Sequence, residues 1–62
     1  MMGKIKDADV VVVNPTEFAV ALEYDELTSS VPIVLAKGRG DVAAAIKEEA
    51  AKASVPARSP HS

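Results

Sequence analysis

The residues of this chain best equipped for covalent chemistry are Asn14 and Pro15. Asparagine ordinarily begins its self-reaction when the next residue's backbone nitrogen attacks the side-chain carbonyl. Proline has no N–H, which closes that route. The roles can instead reverse. The Asn14 side-chain nitrogen attacks Asn14's own carbonyl carbon, a five-membered succinimide forms, and the Asn14-Pro15 bond breaks. An amide nitrogen is a poor nucleophile, so a turn has to hold it against that carbonyl and polarise the carbonyl. A neighbouring base would speed the step by taking a proton. Thr16 and Glu17 complete the tetrapeptide, and Glu17 is the candidate base. Asn-Pro is also a common turn opener, and Glu17 can equally be a solvated turn residue. The dipeptide alone leaves both readings open.

A second candidate is Lys37-Gly38-Arg39-Gly40, just before a predicted helix. Lys37 and Arg39 beside the backbone N–H groups of a helix N-terminus would attract phosphate or carboxylate. The glycine spacing is not that of a Walker motif. A flexible connection with solvated cations is the alternative. Asp25-Glu26 and Glu48-Glu49 read as solvated surface, Tyr24 as the edge of the core, and His61 lies in a polar tail beside Pro60. No metal site and no cofactor are expected.

The elements that position these residues follow from periodicity. Val10-Val11-Val12-Val13 is a β-branched run without alternation, which suits a strand buried on both faces. Asn14 to Glu17 then breaks it as a turn, since proline cannot donate to a ladder. From Phe18 to Tyr24 the pattern alternates, with Phe18, Val20, Leu22 and Tyr24 on the expected apolar face and Ala19, Ala21 and Glu23 on the other. This strand is expected to pair with the first. Asp25 to Ser30 is a polar loop, and Ile33 to Ala36 a third strand that stops at Lys37.

Asp41 to Ala53 is the predicted helix, with Asp41 as N-cap and Val42, Ala45, Ile46, Ala50 and Ala53 as its apolar side. Glu48 and Lys52 are spaced for an i,i+4 pair. Pro56 turns Val55 away from helical geometry and ends the helix near Ser54. A weakly signalled last strand falls at Val55 to Arg58. The expected fold is α/β, a small sheet of three to four strands with one main helix, in the order β-β-β-α-β. Residues 1–9 read as a polar lead-in, 10–56 as the domain and 57–62 as a mobile tail.

Composition narrows the function classes. At 62 residues the chain makes one small domain of marginal stability. It has no cysteine, so neither disulfides nor a thiolate metal site support it. The formal charge is −2 and the cations are scattered, which argues against nucleic acid as a partner. The Val10–Val13 run is too short to span a bilayer, and Met1 to Ala8 lacks the apolar core of a secretory signal. A bacterial-type cytoplasmic location, with no direct membrane insertion of this chain, is the expectation.

Ala8-Asp9-Val10-Val11-Val12-Val13-Asn14-Pro15-Thr16, followed by Phe18-Ala19-Val20-Ala21-Leu22, resembles the signature region of the FlhB/YscU/SpaS (EscU, HrcU) family of flagellar and type III secretion export-switch proteins. Val34-Leu35-Ala36-Lys37-Gly38, the helix after Gly40, and Val55-Pro56 resemble the same family in the same order, so the likeness covers roughly residues 8 to 56. It implies a cytoplasmic domain that normally follows four transmembrane helices. It also implies self-cleavage between the Asn and Pro of an Asn-Pro-Thr-His motif, with both pieces staying in one folded unit. Cleavage then lets the export gate change substrate class. On this resemblance Asn14 is the cyclising residue, Pro15 the leaving residue and Thr16 the third turn residue. The partners implied are components and substrates of the export apparatus, and the chemistry is at most a single turnover.

The chain departs from the pattern in three places. The motif histidine is Glu17, no membrane portion accompanies the domain, and the ending Ala57-Arg58-Ser59-Pro60-His61-Ser62 lacks the family's apolar close. Two alternatives therefore stand beside a cleaving switch domain. One is a free-standing homologue that docks without cleaving. The other is an unrelated small anion-binding protein using the Lys37–Gly40 turn.

Overall fold

A computed structural model of the chain describes residues 4–14, 17–25, 27 and 31–59. Four strands and one helix follow in order: β1 (Val10–Asn14), β2 (Phe18–Glu23), β3 (Ile33–Arg39), α1 (Asp41–Lys52) and β4 (Ala57–Arg58). The strands form one sheet in the order β3-β2-β1-β4. β1 pairs antiparallel with β2, β2 antiparallel with β3, and β4 adds parallel to β1. This is the α/β arrangement expected, with the predicted pairing of the first two strands.

The crossover explains why a single helix suffices. β3 and β4 lie on opposite edges of the sheet, so the chain between them must traverse one face. Twelve helical residues rise about 18 Å, and three strand spacings amount to about 14 Å, so α1 reaches across. Beneath it lie Val11, Ala19 and Ala21, all fully buried, with Ala43, Ile46 and Ala50 of the helix above them. The helix therefore rests on the alanine face of β2. Phe18 and Tyr24 lie 39% and 53% exposed, which corrects the expectation that their face of β2 forms the core. Alternation separates two faces but does not say which one a helix covers, and a bed of small side chains permits the closer approach. On the face of β1 turned away from α1, Val12 is half-buried and Val10 is buried.

Other boundaries also move. Ile5, in a short 3-10 turn (Ile5–Asp7) that packs on α1, is 1% exposed and belongs to the core. Ala57 and Arg58 pair with Val11 and Val12, so the folded unit reaches into the expected tail. β3 continues through Lys37, Gly38 and Arg39, well past Ala36, because these residues stay in register with Val20, Ala19 and Phe18. A bulge between Ala21 and Leu22 leaves Leu35 as the extra residue of β3, where it packs against the core.

The helix ends differ from expectation too. Gly40, at φ 61° and ψ −128°, is the N-cap and Asp41 the first helical residue, with no side-chain cap hydrogen bond. Asp41 still places a carboxylate at the positive end of the helix dipole. Val42 is 45% exposed, and Ala43 occupies the core in its place. Lys52 pairs with Glu49, Nζ to Oε2 at 3.4 Å, rather than with Glu48; a pair this exposed contributes little. At the C-terminus the Ser54 N–H donates to the Ala51 carbonyl and the Val55 N–H to that of Ala50, at 3.2 and 2.8 Å. With Ser54 at φ 61° and Val55 buried, this is a Schellman stop. It ends the helix before Pro56 acts.

Candidate functional site

The turn between β1 and β2 is built by its flanking ladder. Val13 pairs with Ala19 and Asn14 with Phe18, leaving a three-residue connection. Such loops commonly need a left-handed residue at their last position, and Glu17 supplies it at φ 82°. A side chain with a Cβ pays roughly 1–2 kcal/mol in that region. Two hydrogen bonds hold the conformation. The Glu17 N–H donates to the Asn14 carbonyl oxygen at 3.0 Å, and the Gly40 N–H donates to the Glu17 carbonyl oxygen at 2.9 Å. The turn is thus fastened across the sheet to the junction of β3 and α1. The bond from Gly40 to Glu17 is what sequence reasoning missed; Gly40 itself was visible as a glycine at a helix entrance.

The first of these bonds bears directly on chemistry. The Asn14 carbonyl is the group a side-chain amide would attack, and an N–H already lies on its oxygen. A donor there draws electron density from the carbon and stabilises the oxyanion that attack creates. Asn14 and Glu17 are both exposed and sit on the same turn. Pro15 and Thr16 lie outside the described residues.

Lys37 and Arg39 are elsewhere than a loop cradling an anion. Both are exposed on β3, opposite Val20 and Phe18, while Gly38 between them faces α1. Arg39 shares a cross-strand row with Phe18 and Asn14, which places it two strand spacings from the turn, roughly 10 Å. Arg39 ends β3 directly before the N-cap Gly40, and Lys37 lies two residues further back on the strand. Among the described residues no group of three or more His, Cys, Asp or Glu gathers as a metal site, and no helix is long and apolar enough to cross a membrane.

The model of the family described as FlhB HrpN YscU SpaS matches residues 1–61. The chain belongs to this family. Among FlhB/YscU relatives, flagellar biosynthetic protein FlhB of Yersinia enterocolitica is 52% identical over 56 residues, covering 90% of this chain and 15% of that protein. FlhB of Aquifex aeolicus is 43% identical over the same share of this chain. The crystal structure of the cytoplasmic domain of FlhB from Shewanella putrefaciens superposes with a TM-score of 0.85 at 41% identity, covering 94% of this chain and 44% of that one. A mutated EscU C-terminal domain, an asparagine replaced by alanine, gives 0.84 at 28% identity over 94% of this chain and 58% of that one. The chain spans about 15% of the length of the FlhB proteins it matches.

Proposed function

We propose that this chain acts as the cytoplasmic substrate-specificity switch of a flagellar or type III protein export apparatus, at the cytoplasmic face of the export gate. Its partners are the components and substrates of that apparatus. We further propose that the Asn14-Pro15 bond cleaves itself slowly, by asparagine cyclisation. Family membership supports the first statement. The hydrogen bond from the Glu17 N–H to the Asn14 carbonyl oxygen carries the second.

In the proposed step Asn14 Nδ2 bonds to its own carbonyl carbon while the bond from that carbon to Pro15 nitrogen breaks. One proton leaves Nδ2 for a base, and the Pro15 nitrogen takes up a proton as it departs. The product is a C-terminal succinimide that water opens. The turn supplies the oxyanion donor, and Glu17 is the weak part of the device. Neutral imidazole, with a reference pKa near 6.5, accepts protons close to working pH, whereas a carboxylate is in general a weaker proton acceptor. A negative charge beside the scissile carbonyl also opposes the developing oxyanion.

A time course of intact mass at neutral pH tests this for the native chain, Glu17→His and Asn14→Ala. Expected are fragments ending at Asn14 and beginning at Pro15, faster formation in Glu17→His, and none in Asn14→Ala. Complete cutting of the native chain within minutes, or no gain with histidine, would refute the account of Glu17. Cutting at the same bond in the alanine variant would refute cyclisation. An uncut native chain that still binds apparatus components favours the second reading, a docking homologue without cleavage, to which the substitution at Glu17 points.

A further inference from the structure

Gly40 closes two structures at once. Its N–H extends the ladder between β2 and β3 by one bond, to the Glu17 carbonyl oxygen at 2.9 Å. Its carbonyl oxygen opens the hydrogen bonding of α1, taking the Ala44 N–H at 3.0 Å. The backbone turns from strand to helix within this one residue, at φ 61° and ψ −128°. That conformation suits glycine and few other residues, and it aims the N–H at the turn. The Glu17 N–H in turn lies 3.0 Å from the Asn14 carbonyl oxygen. Helix entrance, turn and scissile carbonyl are thus joined by consecutive hydrogen bonds.

Glu17 is the link under tension. At φ 82° it holds a conformation that disfavours any residue with a Cβ. Rotation toward negative φ would carry its N–H off the Asn14 carbonyl. Two bonds oppose that rotation, one on each side of the residue: Asn14 receives its N–H, and Gly40 grips its carbonyl.

We propose that Gly40 is a positioning residue for cleavage of the Asn14-Pro15 bond, a role that rests on the cyclisation proposed above. Its N–H, aimed by the seat of α1 on the sheet, keeps Glu17 left-handed. The Glu17 N–H then stays on the carbonyl that the Asn14 side chain attacks. Gly40 touches none of the reacting atoms and acts through Glu17 alone. An oxyanion donor works by standing in place before the reaction, so a donor that wanders costs rate. Docking of α1 and readiness of the distant turn become one event, and a chain whose helix is not seated cuts slowly.

The 62-residue chain is short enough to assemble chemically, so an ester can replace the amide at Gly40, deleting the N–H and adding no side chain. The control is an ester at Val55, whose N–H donates to the Ala50 carbonyl at 2.8 Å beyond the other end of α1. Urea titration gives each folded fraction, to which rates are normalised. Hydrogen exchange at the Glu17 amide is read in the Asn14→Ala chain, which keeps the carbonyl and lacks the nucleophile. It should quicken roughly fivefold with the Gly40 ester, the worth of one net hydrogen bond, and not with the Val55 ester. Cutting is followed by intact mass in the native and Glu17→His chains. It should slow about tenfold with the Gly40 ester alone, short of the roughly hundredfold or more that outright loss of an oxyanion donor costs. Should that ester unfold the chain, Gly40→Ala, whose Cβ meets no atom within 4 Å, takes its place. Unchanged exchange at Glu17, or equal slowing by both esters, overturns the role of Gly40. If neither the native chain nor Glu17→His is cut, the cyclisation reading fails instead, and exchange at Glu17 alone decides whether Gly40 positions that N–H.

Discussion

Gly38→Ala isolates the close approach between β3 and α1. A Cβ on Gly38 overlaps Val42 Cγ1 and comes within 2.7 Å of Val42 Cβ, about 0.7 Å short of ordinary contact. Val42 is 45% exposed, so its methyl can swing aside, though valine strongly prefers one rotamer in a helix. Its Cβ is carried by the helix backbone and cannot swing. The first turn of α1 has to lift off β3. Overpacking of this kind costs about 1–3 kcal/mol. Replacing glycine in a strand returns roughly 0.5–1 kcal/mol of that. A net loss of up to about 2.5 kcal/mol remains, centred near ~1 kcal/mol, which is a fall in Tm of roughly 4–8 °C for a domain of this size. Urea titration and thermal melts read it directly. Val42→Ala removes the methyls and leaves Cβ, so the double variant should recover part of the loss, with a coupling of at least about 0.5 kcal/mol. A Gly38→Ala protein as stable as the native chain, or a loss that Val42→Ala leaves untouched, would refute the argument. Because Gly40 fastens the turn at the same junction, any cleavage should also slow in Gly38→Ala.

Gly40→Ala meets no atom within 4 Å, so its cost is that of the backbone conformation alone, about 1–3 kcal/mol by urea titration, and no substitution at Val42 should relieve it. Glu17→Gly and Ser54→Gly place glycine at positive φ and should each stabilise the chain by roughly 0.5–1 kcal/mol in the same assay. Ile5→Ala should cost about 2–5 kcal/mol, shown by a large drop in Tm; a loss below 0.5 kcal/mol would return residues 4–7 to the status of a lead-in.

The sequence displayed the elements well and their faces poorly. β1, β2 and α1 were legible from β-branched runs, alternation and helical spacing, and the turn from Asn14-Pro15. The covered face of β2 was not, because Phe18 and Val20 outweigh Ala19 and Ala21 on any scale of hydrophobicity, whereas the choice was made by how closely α1 can lie. Ile5 was hidden between Lys4, Lys6 and Asp7, too isolated to show a period. Lys37-Gly38-Arg39 looked like loop because charge and glycine interrupt apolar runs, yet an edge strand accepts both. At the candidate site Asn14 and Glu17 could be named from the sequence. The bond from Gly40 to Glu17 could not, since it joins residues 23 apart.

β1 lies in the interior of the sheet, with β2 on one side and β4 on the other, and both neighbours follow Pro15 in the chain. A molecule severed at Asn14-Pro15 would therefore be a naturally split protein. Its first piece would be an inserted strand, laced along both edges and pinned by Ile5 under the helix. Such a strand cannot peel away from a margin as an edge strand does. Its release demands that the sheet open through its middle, so replacement by a fresh copy of the same peptide would proceed no faster than unfolding of the whole domain.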